Sequence, residues 1–299
     1  MFKDHSFKTR VTALGGMLLF SLLVWVAPDL QNPNGQLASL FNNNPTVLSV
    51  TFLDVGQGDA ILIETPDGVQ MLIDGGPDAS VLPELAATLP WFDHTIDVII
   101  GTHPDKDHIG GLVDVLKKYQ VDTIITTENT GETTTAEKYH DMLMGEKAVV
   151  MMARTGQVYT LGASTTVKIF SPAADPSMLE SNTASIVAQV RYGEIEFLLS
   201  GDAPSSIENY LVETFGVQLK SEVLKLGHHG SKTSSSENFL TAVSPLFTVV
   251  SSGRDNSYGH PAKEVVERVN ELSIPLVNTA EEGRITFQTD GVSVWKLPN

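Results

Sequence analysis

From residue 47 onward, short apolar runs separated by polar turns predict strands first, then strands alternating with helices. Residues 47–55, 60–65 and 69–73 read as strands, the last two joined across Pro66, Asp67 and Gly68, which suit a tight turn. The run 96–100 reads as a buried strand, and 109–118 as the helix that follows it. Further strands are expected near 122–126, 166–170, 184–192, 195–199, 222–226, 246–250, 284–288 and 292–296, with helices near 135–144, 204–214, 235–243 and 262–272. Two batches of strands, each with helices interposed, predict an α+β fold: two sheets packed face to face with helices outside.

The first 46 residues follow another pattern. Lys3, Lys8 and Arg10 precede an apolar run, 11–27, interrupted only by small or weakly polar residues such as Gly15, Gly16 and Ser21. This predicts one N-terminal membrane segment, with 1–10 as a basic cytoplasmic flank and everything after residue 28 outside the cytoplasm. The alternative is a signal peptide removed after export. It is disfavoured because Val24, Trp25, Val26 and Ala27 make a poor small-x-small cleavage site and Trp25 suits a membrane interface. Residues 28–46, rich in Asn, Pro and Gln, read as a linker, leaving 47–299 as a single folded domain.

Charge narrows the functional classes. The chain carries 19 Lys plus Arg against 36 Asp plus Glu; only three of the basic and two of the acidic residues precede residue 47, so the domain itself stands at −18. A field of that sign argues against passive nucleic-acid binding, which draws on basic groups at the phosphates. It leaves room for a nuclease, because a bound divalent ion locally reverses the sign a phosphate meets. There is no Cys, which excludes a disulfide framework, a thiolate metal site and a Cys nucleophile.

The strongest chemical signal is His103, Asp105, Asp107 and His108, placed between the apolar run 96–100 and a Gly110-Gly111 helix start. Alternate positions on an extended loop would bring His103, Asp105 and Asp107 to one side, with His108 folded in by the turn. Asp202 follows a second apolar run and Gly201, whose missing side chain permits close approach to an ion. His228 and His229 end a third run; at least one should face the site, and His228 is preferred as the ligand, leaving His229 for substrate. Asp54, Asp59 and Asp74 sit in Gly-rich turns, Asp74 being the better candidate to orient a ligating His than to ligate.

The segment 103–108 resembles the HxHxDH signature of the metallo-β-lactamase superfamily, and Asp105 at the second His position resembles its ComEC-like competence branch. Supporting segments occur in order: 52–60 with Gly56, Gln57, Gly58 and Asp59; Asp74-Gly75-Gly76; Gly201-Asp202; and Gly227-His228-His229-Gly230-Ser231. The resemblance spans about 47–299 and implies an αββα metallo-β-lactamase-like sandwich. It also implies metal ligands His103, Asp105, Asp107, His108, Asp202 and His228, with Asp202 bridging two ions. Members with two full metal sites offer another His between the first motif and the bridging Asp, whereas His140, in that interval here, reads as part of an exposed helix. Asn182 and Ser185 stand there instead, as in the ComEC-like branch, and bind metal weakly. One firm ion and one loosely held ion are therefore expected. Zinc suits the His ligands, and manganese competes because the donor set is rich in oxygen.

A site of this kind supplies hydroxide near neutral pH and polarises the scissile bond, so the expected reaction is hydrolysis. Asp107, Asp202 and His260 are the candidate catalytic residues, His260 as general acid or phosphate contact in a Gly259-His260-Pro261 loop. Ser231, Lys232, Arg254 and Lys225 are expected as donors near the mouth. The ComEC-like resemblance implies a phosphodiester substrate, with DNA leading. A cell-wall phosphoester or small ester, or a metal-binding module without catalysis, are the alternatives. The membrane is the one partner besides substrate, and no protein partner is indicated.

Overall fold

The structure, a computed structural model, describes residues 47–298. The expected membrane segment at 11–27, its flank and the linker lie outside the described residues. Among the described residues no helix is long and apolar enough to cross a membrane.

The N-terminal half builds most of the first sheet. Strands β1 (Leu48–Phe52), β2 (Ile61–Glu64) and β3 (Gln70–Ile73) form an antiparallel meander. Helix α1 (Val81–Thr88) then leads to β4 (Thr95–Ile100), which pairs parallel with β3. A one-turn helix α2 (Lys106–Ile109) and α3 (Leu112–Lys118) cross over to β5 (Gln120–Thr126), and α4 (Thr134–Gly145) to the edge strand β6 (Val149–Met152), both parallel.

The second sheet repeats this plan. Strands β7 (Val158–Leu161), β8 (Thr165–Ser171), β9 (Val187–Tyr192) and β10 (Ile195–Leu199) are antiparallel neighbours. After α5 (Ser205–Phe215), β11 (Val223–Lys225), α6 (Glu237–Val243), β12 (Phe247–Val250), α7 (Lys263–Glu271) and β13 (Leu276–Asn278), the strands have continued in parallel. The chain then returns through α8 (Thr279–Glu282) to β14 (Ile285–Thr289) and β15 (Val294–Lys296), which extend the first sheet beside β1. The first sheet has eight strands and the second seven.

Strand alternation explains the layers. On β1, Leu48, Val50 and Phe52 face the second sheet and meet Val190, Phe197 and Val223 in a core between the sheets. On β2, Leu62 points the other way from Ile61 and Ile63, and with Leu72 and Ile99 packs against Val81, Leu112, Val115 and Tyr139 of the first helical layer. Leu198, Leu224 and Val250 do the same for the second sheet, under Leu211, Leu240 and Val265. Helices cover the outer face of each sheet, as expected. In both sheets the central strands are buried on both faces, so their loops open at one edge where the two sheets meet.

Elements α1, β6, β7, β13 and α8 were not foreseen. The expected strand at 184–192 is also shortened, since residues 182–184 form a 3-10 turn and β9 starts at Val187.

Candidate metal centre

The site forms where β4, β10 and β11 end. Beyond β4, the backbone of Thr102 donates to Asp74 Oδ1 at 2.8 Å and its hydroxyl to Asp74 Oδ2 at 2.7 Å. Asp105 sits in extended conformation before α2, and Asp107 and His108 lie within that helix. The expected extended loop thus reaches only to Asp105; a helical turn, not strand-like alternation, presents Asp107 and His108. The β1–β2 loop crosses closely over this turn: a Cβ at Gly58 would stand 2.2 Å from the carbonyl oxygen of Asp107, and Asp59 N donates to that oxygen at 3.2 Å. Glycine is therefore required in the segment that delivers Asp59.

Asp202 lies between the two halves of the site. Helix α5 starts at Ser205 with Pro204 as its cap residue, so the Asp202 carboxylate is not engaged as a helix cap. Asp202 Oδ1 is 3.2 Å from His108 Nε2; Oδ2 is 3.6 Å from His229 Nε2, 3.8 Å from His228 Nε2 and 3.9 Å from His103 Nε2. Asp107 Oδ2 is 3.3 Å from His229 Nε2, and Asp105 Oδ2 is 3.8 Å from His103 Nε2.

Both histidines of the 228–229 pair reach Asp202, in unlike settings. Both adopt left-handed backbone, at φ of 50° and 54°, a conformation costing about 1–3 kcal/mol that clusters at functional sites. His229 is buried, whereas the His228 side chain is 27% exposed and its Nδ1 faces the Thr233 hydroxyl at 3.3 Å and Asn182 Nδ2 at 3.5 Å. In the buried half of the site His229 is the ring in place, and His228 stands at the exposed side.

Hydrogen bonds behind the rings set their tautomers. His108 Nδ1 donates to Asp74 Oδ2 at 2.7 Å. His103 Nδ1 is 3.0 Å from the Thr102 hydroxyl, whose own proton goes to Asp74, so His103 must be the donor. His229 Nδ1 donates to the Ser251 carbonyl at 2.9 Å, with Asp59 Oδ1 at 3.2 Å. Each ring thereby turns Nε2 toward Asp202, the atom at which a bound ion would replace a proton. His103 Nε2, His108 Nε2, His229 Nε2 and Asp202 Oδ1 are all buried, and none makes a hydrogen bond of normal geometry. Four buried donor atoms converging without partners fit a divalent cation.

The electrostatics point the same way. Burial works against charge on these rings, yet Asp202 and Asp74 raise His108 well above the ordinary histidine range, and Asp202 and Asp59 push His229 up to about 9. His103 is lowered to about 4 by burial and by repulsion from His108. Burial would raise Asp202, but His108 and His229 hold it well below the carboxylate range; Asp107 is held at about 2 against the same burial, chiefly by His229. The carboxylates thus draw positive charge into a closed space.

Asp59, His108, Asp202 and His229 offer ligand atoms all within 4.8 Å of one another. Asp59 nevertheless stands behind His229, on its Nδ1 side, and its Oδ2 pairs with Lys225 Nζ at 2.7 Å. Asp59 thus backs His229 by charge at 3.2 Å while the Ser251 carbonyl takes the Nδ1 hydrogen bond, a weaker arrangement than that of Asp74 behind His108. Lys225, expected near the mouth, is instead wholly buried in this ion pair. It lies on a strand covered on both faces, where a polar residue between leucines does not imply solvent.

Among the remaining candidates, Ser185 is buried behind Asp202 and accepts its backbone N–H at 3.2 Å. Asn182 reaches the site, its Oδ1 buried and unpartnered. Ser231 is buried within its own turn, bonded to Thr233, so it is not an open donor. Lys232 is exposed; Arg254 is exposed and donates through Nε to the Ala280 carbonyl at 3.0 Å. His260 does come in, its ring centroid 5.6 Å from His228 and 6.4 Å from His229. Burial, then repulsion from His229 and His228, lower its pKa. Asn256, not foreseen, fixes this loop by accepting from His260 N at 2.9 Å and donating to His260 O at 2.7 Å. Tyr258 stacks on His260 at 5.7 Å. His140 is exposed on α4, as expected.

Residues 53–254 match the family described as the metallo-beta-lactamase superfamily. The chain belongs to that superfamily. Within it, the chain is 27% identical over 261 residues to ComE operon protein 3 of Bacillus subtilis (strain 168), covering 80% of this chain and 33% of that protein. It is 32% identical over 243 residues to Competence protein ComA of Neisseria gonorrhoeae, covering 80% and 32%. The chain therefore spans about a third of the length of these competence-type relatives. Among solved structures, the metallo-beta-lactamase fold protein YhfI from Bacillus subtilis superposes with a TM-score of 0.53 at 11% identity, covering 78% of this chain and 95% of YhfI, a likeness of fold.

Proposed function

We propose that this chain is a metal-dependent phosphodiesterase of the ComEC-like branch, with DNA as its leading substrate. The observation that carries this reading is the convergence of three Nε2 atoms and Asp202 Oδ1, buried and unpartnered, below an exposed loop bearing His260. Asp107, His108, Asp202 and His229 would hold one ion. His103, Asp105, Asp202 and His228 would hold a second, with Asn182 beside it. Zinc or manganese would supply Lewis acidity and activate water at neutral pH.

The chain's own residues have distinct tasks in this reading. Asp74 and Asp59 keep the His108 and His229 rings in orientation, and Ser185 fixes the backbone of Asp202. His260, positioned by Asn256, faces the scissile group; its lowered pKa leaves the ring neutral near pH 7, able to hydrogen-bond a phosphate or accept a proton there and to serve as general acid in more acidic solution. Lys232 and Arg254 would contact phosphate from the rim. The competence-type names of the relatives support a nucleic-acid substrate, and the basic flank before 11–27 supports an anchored domain outside the cytoplasm.

The test is hydrolysis by the metal-loaded protein of single-stranded and double-stranded DNA, RNA, bis-p-nitrophenyl phosphate and a β-lactam. Cleavage of the phosphodiesters, lost on chelation, is expected. Turnover of the β-lactam alone would overturn the reading, as would phosphodiester cleavage that survives complete metal removal.

A further inference from the structure

Directly beside His103, a cavity of about 450 Å³ runs under α4 toward the edge strand β6. It shares His103 and Pro104 with the metal centre and is otherwise built by the end of β5, the residues after it, one face of α4, and β6. The volume lies in the range of small-molecule sites, with room for one nucleoside-sized group and none for a duplex.

Its walls differ from those of the metal centre. Ile109, Leu143, Val150, Met144 and Met152 supply an apolar lining, and the last three are partly or largely exposed, at 38%, 77% and 42%. Solvent-exposed methionines along an edge strand and a helix end cost solubility unless they meet something apolar. Polar groups lie mainly on one side, with Thr126, Thr127, Asn129 and Thr130 at the end of β5 and just after it, while His140 contributes from α4. The charged residue on the wall, Glu128, is paired with Arg154 and brings no net charge. Tyr139 Oη, at the floor, is buried and makes no hydrogen bond of normal geometry.

A cavity with apolar faces, one hydrogen-bonding edge and no free charge does not suit a phosphate. An acyl chain would leave the buried Tyr139 Oη without a polar partner. A flat heteroaromatic ring meets both requirements, because its faces are apolar, its rim carries donors and acceptors, and thioether sulfurs pack favourably against it. The position completes the argument: a diester whose phosphate lies at Asp202 would have one substituent beyond His103, where the cavity begins.

We infer that this cavity is a nucleoside subsite, which holds the base and sugar on one side of the scissile phosphate and admits a single unpaired nucleotide unit. The inference rests on the phosphodiesterase reading and narrows it to single-stranded or terminal nucleotides. Asn129 links the subsite to the metal ligands. It donates to the carbonyls of Pro176 and Leu179 at 3.1 and 2.8 Å, and the same segment continues to Ser181, whose hydroxyl donates to Asp105 Oδ1 at 2.6 Å. An occupied subsite would thus bear on the open half of the metal centre through one short loop.

The experiment uses the full chain with ¹³C-methyl methionine, of which there are eight. The Met144 and Met152 signals are assigned from Met144→Leu and Met152→Leu, and thymidine and adenosine are titrated with and without metal. Shifts concentrated in these two methyls are expected. The ratio of kcat/KM for the p-nitrophenyl ester of thymidine 5′-phosphate to that for methyl p-nitrophenyl phosphate should fall about tenfold in Met152→Trp, which fills the cavity at an exposed position. No methyl shift up to the solubility limit of the nucleosides would overturn the subsite, as would shifts confined to other methionines or an unchanged ratio in Met152→Trp. Shifts at Met144 and Met152 in a protein that hydrolyses no phosphodiester would uphold the subsite and sink the phosphodiesterase reading instead.

Discussion

The two halves of the metal centre share Asp202 and differ in almost everything behind it. In the inner half, His108 and His229 are buried and each has a carboxylate at its Nδ1, Asp74 at 2.7 Å and Asp59 at 3.2 Å. In the outer half, His103 is as buried as the inner rings but reaches Asp74 only through the Thr102 hydroxyl, the Asp105 and His228 side chains are 41% and 27% exposed, and His228 Nδ1 meets only a hydroxyl and an amide. An orienting carboxylate raises the basicity of a ligating imidazole and removes the rotational freedom that binding would otherwise have to freeze. Equal ligand counts therefore do not mean equal sites. On the proposed reading the inner half would keep an ion, and the outer half would take one up and release it.

The largest expected effect comes from removing what the halves share. Asp202→Ala should abolish metal retention in both and reduce hydrolysis by about 10³-fold or more, an effect of about 4 kcal/mol on the barrier; metal analysis alongside turnover checks it. Retained metal with lost activity would mean that Asp202 acts on substrate rather than on ions.

Next come the carboxylates behind the inner rings. Asp74→Asn and Asp59→Asn should each weaken metal affinity about 10- to 100-fold. They should differ in stability, because Asp59→Asn also leaves the Lys225 ammonium buried and unpaired, costing about 3–5 kcal/mol. Denaturant unfolding should show that loss for Asp59→Asn, and the double variant with Lys225→Met should regain much of it. Equal stability of Asp59→Asn and wild type would mean that the buried pair is not as drawn.

His228→Ala should act on the outer half alone: the first ion stays, binding of the second weakens, and turnover falls about tenfold. His229→Ala should strip the first ion. A reversed pattern, read by metal titration, would restore His228 as the principal ligand.

The smallest effect is expected at His260, which touches the site without entering the donor cluster. His260→Ala should keep its metal and lose about tenfold in turnover. Since burial and the neighbouring histidines lower the pKa of His260, its protonated form is populated at lower pH than that of an ordinary histidine. If the ring donates a proton, the wild-type rate should gain from acidification and the variant should lack that gain; if it only binds phosphate, both profiles keep one shape.

Much of this was legible in the sequence because catalytic residue types cluster where apolar runs end. His103, Asp105, Asp107, His108 and Asp202 were read from that alone, and all five come together. What was not legible has specific physical causes. At least one of His228 and His229 was expected inward, with His228 preferred; left-handed backbone at both turns both rings toward Asp202. Lys225 was expected as a donor near the mouth, but its strand lies in a sheet covered on both faces, and its ammonium is buried against Asp59. Strand β6 was missed because three of its four residues, Val149, Val150 and Met152, are exposed apolar side chains at a sheet edge, a pattern with no clear period. Helix α1 was hidden by Pro83, which is tolerated in a first helical turn. The roles of Asn256 and of the cavity beside His103 depend on contacts between distant segments, and no local spacing announces them.

The unequal halves are tested most directly by metal titration of the chelator-stripped protein, followed by calorimetry with zinc and with manganese. The account predicts two classes of site: one ion per chain held through dialysis, and a second bound at least about tenfold more weakly and lost first. Two ions of equal affinity, or none retained, would contradict it.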